Sequence, residues 1–138
     1  LLPQAELIVV TTPQLMAQKV ATRVADMAKR SFIPILGVIE NMSYFESDTG
    51  DKFSIFGEGG GKALSDKFGI PILGKIPIGE NTNDVADNGT ALIDQKNNSV
   101  TKVELEKLIN TIAVQLPPIV DETCTGRLAK VFEELSNQ

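Results

Sequence analysis

The sequence predicts an α/β fold of the doubly wound kind, organised on a parallel sheet. Three observations predict it. Short apolar, β-branched runs recur at Glu6–Thr11, Pro34–Glu40 and Ile70–Ile78. A segment with helical apolar spacing, and a shorter helix candidate, stand between them. Strand, helix and strand follow within about forty residues, which suits a right-handed crossover between parallel strands.

Each element has a local reason. Glu6–Thr11 reads ELIVVT and stops at the turn signal Thr12-Pro13, as a strand buried on both faces does. Gln14–Arg30 carries Ala17, Val20, Ala21, Val24, Met27 and Ala28 on one helical face, with Lys29 and Arg30 in its last turn. Thr12 is the expected N-cap of that helix and Pro13 its first residue. Pro34–Glu40, PILGVIE, is the second strand. Asn41–Gly61 is a polar, glycine-containing insert. Lys62–Phe68 is a short helix with Gly69 as its stop. Ile70–Ile78, IPILGKIPI, is the third strand, broken by Pro77.

The remainder is less strand-like. Gly79–Asn98 is polar, with one short helix and loops. Thr101–Leu116 opens on a capping box, Thr101-x-x-Glu104, and carries Leu105, Leu108, Ile109, Ile112 and Leu116 on one face before Pro117-Pro118. Thr125–Leu135 shows a last helical pattern in Leu128, Val131, Phe132 and Leu135. Three parallel strands make a small sheet with an open edge, so the chain reads as part of a larger sheet or as one that covers its edge by oligomerising.

Composition narrows the chemistry. The 138 residues carry a formal net charge of −5, which argues against nucleic acid or an anionic membrane as partner. No apolar stretch approaches a membrane span. There is no histidine, so Ser-His-Asp, Cys-His and multi-histidine zinc sites are excluded within these residues. The single cysteine, Cys124, allows no internal disulfide and fits a reducing, cytoplasmic setting. It is read as a small buried apolar residue. No paired carboxylates stand at a strand end, so an unrelated acid/base enzyme has little support. The start, Leu1-Leu2-Pro3-Gln4, has no basic region of a signal peptide and reads as a chain entered in its middle.

The stretch Phe56-Gly-Glu-Gly-Gly-Gly-Lys-Ala-Leu64 imitates a phosphate loop. A Walker A loop needs glycine, four residues, Gly-Lys and then serine or threonine. Five residues before Gly61 stands Phe56, and Lys62 is followed by Ala63, which has no hydroxyl for Mg²⁺. The expected role is a glycine turn that lets backbone pass close to something else.

Read together, GVIENMSYF (Gly37–Phe45) and IFGEGGGKALSDKFGIPILGKIPI (Ile55–Ile78) resemble the Mrp/ApbC family. These are P-loop ATPases of the MinD and ParA type, implicated in carrying iron–sulfur clusters. The resemblance runs from about Leu2 to Ile93, some two-thirds of the chain. It implies residues 1–93 as the C-terminal half of a nucleotide-binding domain, with its mainly parallel P-loop NTPase sheet and flanking helices, and 94–138 as a helical extension. It also implies that ATP and Mg²⁺ bind the full-length protein, a homodimer. Walker A would lie upstream, so this chain alone would not hydrolyse ATP.

The resemblance carries a few residues over. Asn41 matches an asparagine that faces the nucleotide base, where an amide offers both a donor and an acceptor. Pro77 and Ile78 match the segment that packs beside the adenine. Thr11, Thr12, Pro13 and Gln14 match a T-T-P-Q turn near the nucleotide. Many members carry C-x-x-C after N-M-S-x-F; here Glu46 and Thr49 stand at those positions. Hard oxygen ligands do not replace two thiolates, so no metal ligand is assigned, including among Glu46, Asp48 and Asp51. Iron–sulfur recipient proteins are the partners the family implies. The alternative is a non-catalytic module that uses this fold to bind a protein through the glycine-rich loop and acidic insert.

Overall fold

The computed structural model describes residues 5–79, 89, 91–94 and 99–116. Three parallel strands form its sheet in the order β1–β2–β5: β1 is Leu7–Thr11, β2 is Ile35–Glu40 and β5 is Ile72–Lys75. Helix α1, Leu15–Arg30, crosses from β1 to β2, and α2, Gly60–Phe68, precedes β5. Helix α3 is Val100–Gln115. In register, Thr11 stands beside Glu40 and Glu40 beside Lys75, so the three strands end in one row.

The strand pleat splits the core. On one face Val9 and Val38 meet Ala21 and Ala25 of α1 and Leu64 and Phe68 of α2. On the other, Ile39 and Leu73 meet Leu108 of α3. Val38 and Ile39 are neighbours in sequence and serve opposite cores, as a period of two requires. Gly37 has no room for a side chain, because a Cβ there would lie 2.6 Å from Leu73.

Several expectations need correction. β1 is not buried on both faces: Val10 is 56% exposed, because β1 is an outer strand among the described residues. α1 buries Ala21, Ala25 and Ala28, while Val20, Val24 and Met27 are exposed. Its N-cap is Gln14, with no side-chain cap, so Thr12 does not cap it. α2 starts at Gly60, two residues before the expected Lys62. The third strand covers only Ile72–Lys75 of the expected run. α3 is capped by Ser99, whose hydroxyl accepts from Lys102 N at 3.3 Å; Thr101 lies inside the helix and is buried. Ile109 and Leu116 of its expected apolar face are exposed. The insert contains a small antiparallel hairpin, β3 (Phe45–Glu46) with β4 (Lys52–Phe53). Gly69 does end α2 in the left-handed region, at φ 67°. A 3-10 turn spans Leu92–Asp94. The helix expected over Thr125–Leu135, and Cys124, lie outside the described residues.

Candidate functional site

The site is the row of strand ends. Beyond β1 the chain turns through Thr12 and Pro13. Beyond β2, Asn41 N donates to Thr11 O at 2.7 Å, which draws Asn41 toward that turn. Thr11, Thr12 and Asn41 line a groove of about 380 Å³ together with Val10, Val20 and Val24. The Thr12 Oγ1 is buried there without a hydrogen-bond partner. Asn41 Oδ1 accepts from Met42 N at 2.9 Å, and no described residue accepts from its Nδ2. Pro13 is buried against the start of α2.

Pro77 and Ile78 lie on the other side of β2 and do not line this groove. They run beside the segment after Asn41: Ser43 N donates to Ile76 O at 2.9 Å, and Ile78 N to Tyr44 O at 2.7 Å. Pro77 itself is buried. The expected residues therefore fall into two groups on either side of the segment that begins with Asn41.

Sequence reasoning missed the centre of this arrangement. Among the described residues Glu40 is the largest fully buried side chain, 1% exposed. Its Oε1 accepts from Ser43 Oγ at 2.5 Å and faces Lys75 Nζ at 3.5 Å. Its Oε2 accepts from Gly61 N at 2.5 Å. Burial alone would push the carboxyl pKa up, but the Ser43 hydroxyl, the Gly61 N–H and the Lys75 ammonium together hold it below 4.5. The signal in the sequence was a glutamate closing an apolar strand, with serine three residues on.

That carboxylate explains the glycine-rich turn. The N-terminus of α2 does hold an anion, as helix N-termini do. The anion is Glu40. A Cβ on Gly61 would meet the Glu40 Cβ at 3.0 Å. One on Gly60 would meet Thr12 O at 2.7 Å and Pro13 Cα at 2.8 Å. The glycines let α2 touch two strand ends at once. Lys62 points its amine at Asp66, 2.8 Å away. Neither the lysine nor the helix start is arranged for phosphate.

The hairpin turn holds the positions where C-x-x-C was sought. Ser47 N donates to Asp51 O at 2.9 Å, the Ser47 and Thr49 hydroxyls share a bond of 2.8 Å, and Thr49 Oγ1 donates to Asp51 Oδ2 at 2.7 Å. Glu46 faces Lys52 at 3.5 Å. These oxygens satisfy one another, and among the described residues no group of three His, Cys, Asp or Glu side chains converges. No helix among them is long and apolar enough to cross a membrane.

Comparison with known proteins agrees with this fold. The family described as ParA, NUBPL iron-transfer P-loop NTPase, matches residues 1–113. An iron-sulfur cluster carrier protein of Deinococcus radiodurans is 40% identical over 110 residues, which are 79% of this chain and 31% of that protein. A nucleotide-binding protein from Archaeoglobus fulgidus, solved in complex with ADP, is 34% identical with a TM-score of 0.51, covering 59% of this chain and 34% of that one. The septum site-determining protein MinD of Pyrococcus horikoshii, at 22% identity and a TM-score of 0.60, covers 83% of this chain and 44% of that one, and shares the fold. The chain spans about a third of the length of the curated relatives it matches.

Proposed function

Because the chain belongs to the NUBPL-type, iron-transfer family of ParA-like P-loop NTPases, we propose that it supplies the base-side wall of an ATP site. The observation that carries the reading is Asn41. It leaves the C-terminal end of a parallel strand, where open α/β sheets bind ligands. Its Oδ1 is engaged by Met42 N, and its Nδ2 remains available for a base edge. Thr12, whose hydroxyl is buried without a hydrogen-bond partner, lines the same groove.

The phosphate half of such a site is not in these 138 residues. No G-x-x-x-x-G-K-S/T motif occurs: Gly61-Lys62 starts a helix whose N-terminus is occupied by Glu40, and Gly74-Lys75 lies in β5 and is followed by Ile76. In the full-length protein, ATP and Mg²⁺ would be held by an upstream Walker A loop, whose lysine and hydroxyl supply the phosphoryl chemistry. This chain's part is to orient the base. We read the full-length form as a homodimeric ATPase that serves iron–sulfur cluster transfer to recipient proteins. The hairpin turn offers no thiolate, so the reading assigns the cluster no ligand here.

The test has two steps. The chain alone should show neither tight ATP binding nor hydrolysis. Joined to the upstream portion of the Deinococcus relative, it should bind ATP, and Asn41→Ala should weaken binding about tenfold, the worth of one good hydrogen bond. Failure of the joined, folded protein to bind ATP, or indifference to Asn41→Ala, would sink the reading.

A further inference from the structure

We propose that Glu40 is a positioning residue: it staples a strained turn at Asn41–Met42 and so fixes the direction in which Asn41 is presented. The inference rests on the reading of Asn41 as a base contact. Met42 has φ 53°, a left-handed conformation that costs a non-glycine residue about 1–2 kcal/mol. Such a residue persists only when its surroundings hold it there.

The holding contacts are specific. The Glu40 carboxylate reaches across the turn to the Ser43 hydroxyl, closing a loop over Asn41 and Met42. From outside, Thr11 O takes the Asn41 N–H and Ile76 O takes the Ser43 N–H. Glu40 cannot slip, because its other oxygen is tied to Gly61 N and Lys75 faces the first. A carboxylate can accept on both sides. A glutamine cannot, although with its oxygen on Gly61 N–H its NH₂ can still donate to the Ser43 hydroxyl, which accepts as well as donates. Glu40→Ala, which has neither group, removes both the staple and its anchor.

The experiment is NMR on the chain as it stands. Three signals matter: the amide-to-Hα Overhauser effect within Met42, which is strong at positive φ; the Asn41 side-chain amide; and the Gly61 N–H. Glu40→Ala and Ser43→Ala should both abolish the Met42 signature and move the Asn41 amide. Only Glu40→Ala should move Gly61. Adding Met42→Gly to Glu40→Ala should return the Asn41 amide toward its wild-type position, because glycine takes positive φ without strain. A merely structural loss at α2 would not be rescued from Met42. Should Glu40→Ala fail to fold, Ser43→Ala decides alone. Unchanged Met42 and Asn41 signals in Ser43→Ala overturn the inference. Adenosine at millimolar concentration provides a separate arm. It should shift the Asn41 amide in the wild type, with binding roughly threefold to tenfold weaker in Ser43→Ala. If adenosine shifts nothing while the staple signals behave as expected, the base-contact reading fails and the staple stands.

Discussion

A carboxylate buried as deeply as Glu40 is stable only when its charge is answered on the spot. Ser43, Gly61 and Lys75 answer it and lower its pKa. The consequence for stability follows from the sign of that shift. A lowered carboxyl pKa means the unfolded chain binds the proton more readily. Glu40 therefore stabilises the fold fully above its unfolded value near 4.5, and that contribution is lost as pH falls through the lower folded value. Glu40→Gln should cost about 1–3 kcal/mol at neutral pH. Urea titrations of both proteins should show the gap closing as pH drops below 4.5. A gap independent of pH would mean the charge is not what stabilises. Only the glutamate at the strand end and the serine three residues on were visible in the sequence, and not their pairing. A glutamate at the end of an apolar strand reads as a solvated strand end, and its partners Gly61 and Lys75 lie far along the chain. The reading of Asn41 comes from family resemblance alone, since an asparagine after a strand is ordinarily a turn residue.

Elements were legible where their cause is local. Apolar runs and helical spacing marked all three main strands and the three described helices, and Gly69 marked the end of α2 by its conformational freedom. The hairpin β3–β4 was not legible, because two-residue strands leave no period to read. Helix starts were misread because hydroxyl residues at Thr12 and Thr101 suggested caps, and only tertiary packing shows that both point elsewhere. Two predictions belong at this scale. Phe32 closes α1 in a left-handed turn, φ 56°, with Ile33 N donating to Ala28 O and Phe32 N to Lys29 O. That motif favours glycine. Phe32 is also 94% exposed, so its ring contributes little to the core. Phe32→Gly should raise stability by about 1 kcal/mol in thermal melts. Gly60 shows the opposite case. Alanine is ordinarily the better helix former, yet a Cβ there would strike backbone at Thr12 and Pro13. Gly60→Ala should cost about 1–3 kcal/mol and disturb the amides around Thr12, readable by hydrogen exchange.

At the scale of the whole molecule, both faces of the sheet are covered among the described residues: α3 covers Ile39 and Leu73 on one, and α1 and α2 cover Val9 and Val38 on the other. The open surface lies along the β1 edge. That strand, LIVVT, pairs only with β2 among the described residues, and it carries no charge or proline to blunt its outer edge. Met16, Val20, Val24 and Met27 form an exposed apolar stripe on α1 at spacings of four, four and three, and Val20 and Val24 share the groove with Val10. The apolar period of α1 was read correctly, but periodicity cannot say which half of an apolar face is covered. An unpaired strand beside an apolar stripe is a surface that associates in water. Sedimentation of the isolated chain should therefore show reversible, concentration-dependent self-association. Val10→Lys places a charge on the exposed position and should leave the chain monomeric at the same concentration. Its melting temperature should change little, because Val10 is 56% exposed. If the wild type stays monomeric at high concentration, the β1 edge is not an adhesive surface. If Val10→Lys associates as readily as the wild type, the association runs through another face, and the exposed residues of α3, Ile109, Val114 and Leu116, become the place to substitute next.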